Sequence, residues 1–278
     1  LILSMIKRYA DQAGKNITSL NTQMRSGVSV VWIIGPALAF VVADTWGYQT
    51  NFYIAFVLSI LVIIITAKYL PSFNQTTQAS LTSDRQKSPV TMIAFLLGLV
   101  IFLGNLANHV YLTAMPLYLT QELNIPLYFP GFLLGLTALF EIPVMLYAAR
   151  LSERYGKGQI MVFGLLCAMV YYGFMPFVTS IQLLLLLQVF NGLFYGVFVG
   201  LGITIIQDAF PKKGGFASAY YTNMMRIGMM FGTSIAGFIA QYFDFQTALF
   251  ASLASILFAL PLMLYVLNKS VQDSIRAA

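Results

Sequence analysis

Charge is the scarcest commodity in this 278-residue sequence. Asp, Glu, Lys and Arg together make up 9% of it, against about 25% in an ordinary soluble domain. So little charge excludes a water-soluble globule, a disordered tail and a nucleic-acid-binding module. There is one cysteine, Cys167, so no intramolecular disulfide forms, and one histidine, His109, so no all-histidine metal site exists. H-E-x-x-H, G-x-S-x-G and G-x-x-x-x-G-K-[ST] are all absent. Their absence argues against an intramembrane enzyme and removes ATP as a driving force within this chain. What fills the sequence instead is hydrocarbon: 59% of residues are hydrophobic and the mean hydropathy is +0.81. The sequence reads as an all-α, polytopic membrane protein.

The gaps between charges mark the spans. Residues 26–43, 45–67, 88–121, 123–140, 158–207, 227–243 and 245–268 contain no Asp, Glu, Lys or Arg. A helix needs about 20 apolar residues to cross the hydrocarbon, so 158–207 must hold two spans, with the turn at Pro176–Gln182. Eight helices are predicted, at about 17–43, 52–70, 90–119, 129–149, 158–176, 182–206, 216–241 and 246–267. Runs such as SIQLLLLLQVF lack the polar–apolar alternation of a barrel strand.

Basic residues then orient the chain. Lys7, Arg8 and Lys15, then Lys68, Arg85 and Lys87, then Arg150, Arg154 and Lys157, then Lys212 and Lys213, and finally Lys269 and Arg276 occupy alternate connectors and the ends. The intervening connectors carry Asp44, Glu122 and Asp244 and no Lys or Arg. By the positive-inside rule the basic face is cytoplasmic, as are both ends of this chain. The net charge of +6 is a topology signal, not a DNA-binding face. The expected location is a cell inner or plasma membrane, multi-pass, with the C-terminus cytoplasmic. LILSMI before KRYA reads as the tail of a further helix, so more chain is expected upstream. The polar tract 71–89 is expected to be a cytoplasmic linker between 1–70 and 90–278.

An internal offset of 201 aligns Arg25-Ser26-Gly27 with Arg226-Ile227-Gly228 and brings Asp44 within one position of Asp244. Parallel repeats of this kind are a plan of secondary transporters, with the substrate between the halves. The 149–161 segment, ARLSERYGKGQIM, resembles the G-x-L-a-D-r-x-G-r-k-x-x-l loop of the major facilitator superfamily. Arg154 and Gly156 match it, Glu153 stands for its Asp and Lys157 for its Arg, while Ala149 and Gly158 depart from it. WIIGPALAF (32–40), MPLYLTQEL (115–123), LFEIPVMLYA (139–148), GLGITIIQDAFP (200–211) and YTNMMRIGMMFGTSIAGFIA (221–240) resemble the bacterial sugar efflux transporters of that superfamily. The likeness runs from about Met24 to the last helix. It implies a helical bundle with eight of twelve transmembrane helices present. The tail of helix 4 with helices 5 and 6 would lie in 1–70, and helices 7–12 in 90–278. Gly35-Pro36 weakly resembles the superfamily's antiporter motif, but Ala39-Phe40 stands where that motif has paired glycines.

In-span polar residues are the candidates for function, because a charge at bilayer depth costs about 2.5–3.5 kcal/mol even on lenient scales. Glu141 lies mid-helix and reads as a proton-titrating or sugar-binding carboxylate, with Arg226 or, second, His109 as its partner in coupling; the alternative is a structural ion pair with an arginine. Arg25 and Arg226 either grip substrate bidentately or snorkel to the interface. Asn105, Asn108 and His109 share one helix face, as do Gln188, Asn191 and Tyr195, while Tyr221 and Asn223 lie beside Arg226. Such amides suit a polyol, or they are interhelical glue. Glu153, with Arg154 and Gly156, is read as a gate, the acid capping the N-terminal end of the 17–43 helix. The expected function is efflux of sugars or sugar-like solutes, coupled to protons, by a monomer with no cofactor and no metal. A multidrug/proton antiporter is the alternative, and a channel or enzyme a distant one.

Overall fold

The computed structural model describes the backbone of residues 17–69, 91–210 and 214–277. The side chains of 17–30, Trp32, Tyr69, Gly214 and 270–277 are outside the description. The expected linker at 71–89 and the upstream LILSMI segment lie outside the described residues.

Eight helices appear where eight were expected. They are α1 (Ile17–Trp46), α2 (Tyr48–Tyr69), α3 (Met92–Leu117), α4 (Tyr128–Tyr155), α5 (Lys157–Phe174), α6 (Ile181–Ala209), α7 (Gly214–Tyr242) and α8 (Phe245–Ala277). In hydrocarbon every backbone N–H must be paired within its own segment, which is why apolar runs this long form helices. Six of them, α2 to α6 and α8, are long and apolar enough to cross a membrane. The 29-residue α7 falls short of that apolarity because Tyr220, Tyr221, Thr222, Asn223, Arg226, Thr233, Ser234 and Gln241 interrupt it. Thr222, Thr233 and Ser234 return their hydroxyls to carbonyls of the preceding turn, which makes them tolerable there.

The helices associate through glycine. In lipid there is little hydrophobic drive between helices, so close backbone approach supplies the contact. A methyl carbon placed on Gly131 would lie 2.7 Å from the Pro36 carbonyl oxygen, and one on Gly135 would lie 2.7 Å from that of Ile33, so α4 sits directly on the α1 backbone. Gly196 of α6 would place one 2.8 Å from the Glu141 carbonyl oxygen of α4. Gly228 and Gly232 of α7 sit 2.6 Å, by the same measure, from the Phe102 and Leu106 carbonyls of α3. In α3 to α8, α3 packs on α7 and α8, α4 on α6, and α5 on α6 and α8. Outside that body α1 packs on α4, and α2 is fastened to α1 by Asn51, whose amide donates to the Ala39 carbonyl at 2.8 Å. The apolar stretch of α2 is exposed throughout, as suits a face toward lipid.

One expectation about the connectors is corrected. The 150–157 segment was expected to be a loop, but α4 runs on to Tyr155, so Arg150, Glu153 and Arg154 are helical. The apolar stripe ends before the helix does, because the backbone needs no hydrocarbon once it leaves the membrane. The turn itself is Gly156, at φ 86° and ψ 141°, a conformation that side-chain-bearing residues avoid.

At the opposite, acidic end, α3 widens into a turn over Tyr118–Glu122. Its Glu122 carboxylate accepts the Phe245 and Gln246 N–H groups at 2.6 and 3.3 Å, binding two of the unpaired donors that open α8. Asp244 caps the same helix by accepting the Thr247 N–H at 2.6 Å. The Pro176 carbonyl receives both the Tyr118 hydroxyl (2.9 Å) and the Gln246 amide (2.7 Å).

Three outcomes follow. Gly156→Ala meets no atom within 4 Å, yet it lowers stability by about 1–3 kcal/mol through backbone strain alone. The control Gly215→Ala, equally unobstructed and without positive φ, stays within about 1 kcal/mol, and thermal melts of the purified variants compare them. Glu122→Ala lowers stability by about 1–2 kcal/mol, the worth of hydrogen bonds to a charged acceptor, measurable by the same melts. The Thr247 hydroxyl and N–H hold the Asp244 carboxyl below the usual carboxylate range. Its stabilisation is therefore full above about pH 4 and is lost as pH falls through the lowered value. Asp244→Asn accordingly flattens that acid limb of stability against pH.

Candidate functional site

The in-span polar residues divide into enclosed and accessible sets. Asn105, Asn108, Gln188 and Asn191 are enclosed, at 2%, 5%, 0% and 1% exposure. Asn105 lies against Gly228 on the α3–α7 contact and donates its amide to the Met225 carbonyl. Asn108, on the same helix, is buried.

Gln188 and Asn191 belong to a hydrogen-bonded cluster that joins three helices. Thr137 of α4 donates to the Gln188 Oε1 at 2.7 Å, and the Gln188 amide donates to the Tyr171 hydroxyl of α5 at 3.0 Å. The Asn191 amide reaches the Thr137 oxygen at 3.3 Å. Thr137 and Tyr171 had no standing in the sequence. Thr137 lies one helical turn from Glu141, which was a usable signal, whereas Tyr171 was hidden among 16 tyrosines. Around the cluster lies an aromatic core in which Tyr111, Tyr171, Tyr172 and Phe194 meet edge to face or tilted, with ring centroids 5.2–6.0 Å apart.

The accessible set is His109, Glu141, Tyr195, Tyr221, Asn223 and Arg226. Glu141 is half-buried at the middle of α4, where that helix meets α6. Tyr195 of α6 is half-buried, seven residues along from Gln188 and four from Asn191. The Tyr221 ring packs over Gly202. Asn223 and Arg226 are exposed on one face of α7, Arg226 being twelve residues from its start at Gly214, about 18 Å along the axis. His109 is half-buried beside Gly232. Among the described residues Glu141 forms no ion pair, so neither a partnership with Arg226 nor a structural pair with another described arginine is made in this conformation. The side chain of Arg25 is outside the described residues.

At the basic end, Glu153 and Arg154 are exposed on the last turn of α4, and the Arg154 guanidinium lies 5.3 Å from the centre of the Tyr155 ring. The ion pair at this end joins Lys157 to Asp208, at 2.6 Å. Asp208, at the far end of α6, was not singled out in the sequence.

An apolar groove of about 640 Å³ lies elsewhere, between α3 and α8, lined by Leu99, Leu103, Phe258, Pro261, Leu262 and Tyr265. It offers almost no hydrogen bonds and stands apart from the polar residues. Among the described residues no group of three His, Cys, Asp or Glu could hold a metal ion.

Comparison with known proteins supplies the wider frame. The chain is 30% identical to the sugar efflux transporter A of Dickeya chrysanthemi over 91% of its length, and 32% identical to the sugar efflux transporter A of Escherichia coli K12 over 86%. It spans 64% and 62% of those two relatives' own lengths. It is 24% identical, over 86% of its length, to a multi-drug resistance efflux pump PmrA homolog of Lactococcus lactis, of which it spans 60%. Residues 94–277 match the family model of the Major Facilitator Superfamily. With its eight helices and in-span polar residues, this multi-pass membrane protein belongs to the Major Facilitator Superfamily.

Proposed function

We propose that the protein is a secondary transporter that exports sugars or sugar-like solutes by alternating access, in exchange for protons. It moves its substrate without covalent chemistry. The observation that carries this reading is the pair Asn223 and Arg226. They are exposed on one helix face, with Arg226 about 18 Å in from the helix start. A guanidinium within a span is costly unless it snorkels or faces water, and in this reading the face it shares with Asn223 lines a water-filled cavity. A forked donor and a neighbouring amide in water are suited to hydroxyls, each of which needs a donor and an acceptor. The relatives named sugar efflux transporters agree with this reading.

Glu141 is the coupling residue in this reading. It is half-buried at the middle of α4 and carries no ion pair among the described residues. A carboxylate so placed takes up a proton on one side and gives it up on the other. The basic end of the bundle is cytoplasmic, with the C-terminus there. Glu153, Arg154 and Gly156 form the gate at that end, where a rigid glycine turn sets the angle between α4 and α5.

Drug export is the second reading, favoured by the likeness to the Lactococcus lactis pump. It predicts an apolar, aromatic pocket, for which the groove between α3 and α8 is the candidate, whereas Asn223, Arg226 and Glu141 offer polar groups suited to a sugar. Proteoliposomes tested with a panel of radiolabelled mono- and disaccharides decide between the two. In antiport, protons leave the acidic compartment and sugar enters it, so sugar accumulates on the acidic side of an imposed pH gradient. Glu141→Gln abolishes that accumulation and leaves sugar exchange in place. A variant that still concentrates sugar at the normal rate makes Glu141 structural, and accumulation of lipophilic dyes with no sugar transported makes the protein a drug exporter.

A further inference from the structure

We propose that the apolar groove between α3 and α8 is a fixed site for one anionic phospholipid, with an acyl chain lying in the groove and the headgroup at Lys269. The proposal holds whatever solute the protein moves.

Packing elsewhere leaves the groove open. Toward the acidic end Ser252 ties α8 to α3 by donating to the Ala107 carbonyl at 2.8 Å. Toward the basic end the two helices make close contacts with other neighbours. Gly98 of α3 lies against the Tyr220 ring of α7, and Gly158 of α5 against Leu267 and Met263 of α8. Leu99 and Leu103 then face Phe258, Pro261, Leu262 and Tyr265 across a space of about 640 Å³. Phe258 and Tyr265 are 69% and 53% exposed, so the groove opens sideways. Both helices are long and apolar enough to cross a membrane. An apolar groove open to the side of such a span fills with hydrocarbon, since water in it would gain no hydrogen bonds.

Depth along the helices selects the occupant. Lys269 closes the apolar stretch of α8 that begins at Phe245. Tyr265 lies four residues, about 6 Å, inside it, and Phe258 eleven residues, about 16 Å. On α3, Leu103 is likewise eleven residues from Met92, which opens that helix at the same end. One leaflet contributes half of the hydrocarbon, about 15 Å. The groove therefore runs from the basic surface to the middle of the membrane. That is the reach of one acyl chain from one leaflet.

The surface end of the groove carries the charge. Lys269 is half-buried, one turn beyond Tyr265 on the same helix face. It forms no ion pair among the described residues, whereas Lys157 at this end is already held by Asp208. Its flexible stem carries the ammonium to the level of the headgroups. Among the described side chains of α3 and α8 there is no carboxylate to compete for it. A zwitterionic headgroup would bring its own cation against Lys269, so a net-negative phospholipid is preferred.

The test places a fluorophore on the groove wall with Phe258→Trp, in a chain whose two tryptophans, Trp32 and Trp46, are replaced by Phe. The protein is reconstituted in vesicles containing dibrominated phosphatidylglycerol or dibrominated phosphatidylcholine of the same chain length, and the ratio of quenching gives relative binding at the groove. Phe56→Trp, on the exposed face of α2, reports bulk lipid in the same background. A several-fold preference for phosphatidylglycerol is expected in the Phe258→Trp protein and none in the Phe56→Trp protein. Adding Lys269→Gln abolishes the preference, and Lys269→Arg keeps it. Equal quenching by the two lipids in the groove, or a preference that Lys269→Gln leaves unchanged, overturns the proposal. So does the absence of quenching by either lipid, since protein then covers the groove. A lipophilic dye that displaces the quencher from the groove and not from α2 overturns it as well and makes the groove the drug pocket.

Discussion

Backbone contact at glycine is the constraint from which the rest of this bundle follows. Lipid gives helices no hydrophobic reason to meet, so the affinity comes from dispersion and weak polar contact at short range. That requires one helix to present no side chain where the other's carbonyls lie. Gly131 and Gly135 do so for α4 against α1, Gly192 and Gly196 for α6 against α4, and Gly228 and Gly232 for α7 against α3. Each contact then fixes the depth and rotation of the polar residues one turn away. Glu141 is where it is because Gly196 seats on its carbonyl, and His109 because Gly232 lies against its Cβ.

Polar residues within the spans obey a second constraint. Most of the buried ones are paired: Thr137, Tyr171, Gln188 and Asn191 bond to one another, and Ser252 donates to the Ala107 carbonyl at 2.8 Å, while Asn105 Oδ1, Asn191 Oδ1 and the Tyr111 and Tyr172 hydroxyls are left over. The accessible ones, Glu141, Asn223 and Arg226, have no such network. Burial without pairing costs a polar group several kcal/mol. Ionised groups left unpaired, Glu141 and Arg226, therefore belong where water reaches them, and that separates them from the neutral, mostly bonded scaffold.

The helices were legible because charge is so rare that its gaps alone marked them, and the predicted spans match the helices to within a few residues at most ends. The end of α4 was missed for a physical reason: Arg150, Glu153 and Arg154 end the apolar stripe, while the helical hydrogen bonds continue to Tyr155. Glycine spacing in α6 and α7 announced close packing, but a sequence cannot say which helix lies opposite. The same limit hid the pairing of Gln188 with Thr137 and Tyr171, which sit 51 and 17 residues away. Gln188 and Asn191 read as a possible sugar stripe, since an amide looks the same whether it faces a cavity or a neighbouring helix. The capping of α8 by Glu122 spans 123 residues and left no local trace.

That last contact has a mechanical meaning. Glu122, Asp244, Gln246 and the Pro176 carbonyl draw the connections α3–α4, α5–α6 and α7–α8 together at the acidic end. A bundle riveted at all three of its loops on one side cannot splay there helix by helix. Such a body is stiffest at this rim, and it meets α1 through the side-chain-free track of Gly131 and Gly135 over Ile33 and Pro36. Stiffness at the rim and smoothness at the α1 contact are thus both set by residues far apart in the sequence.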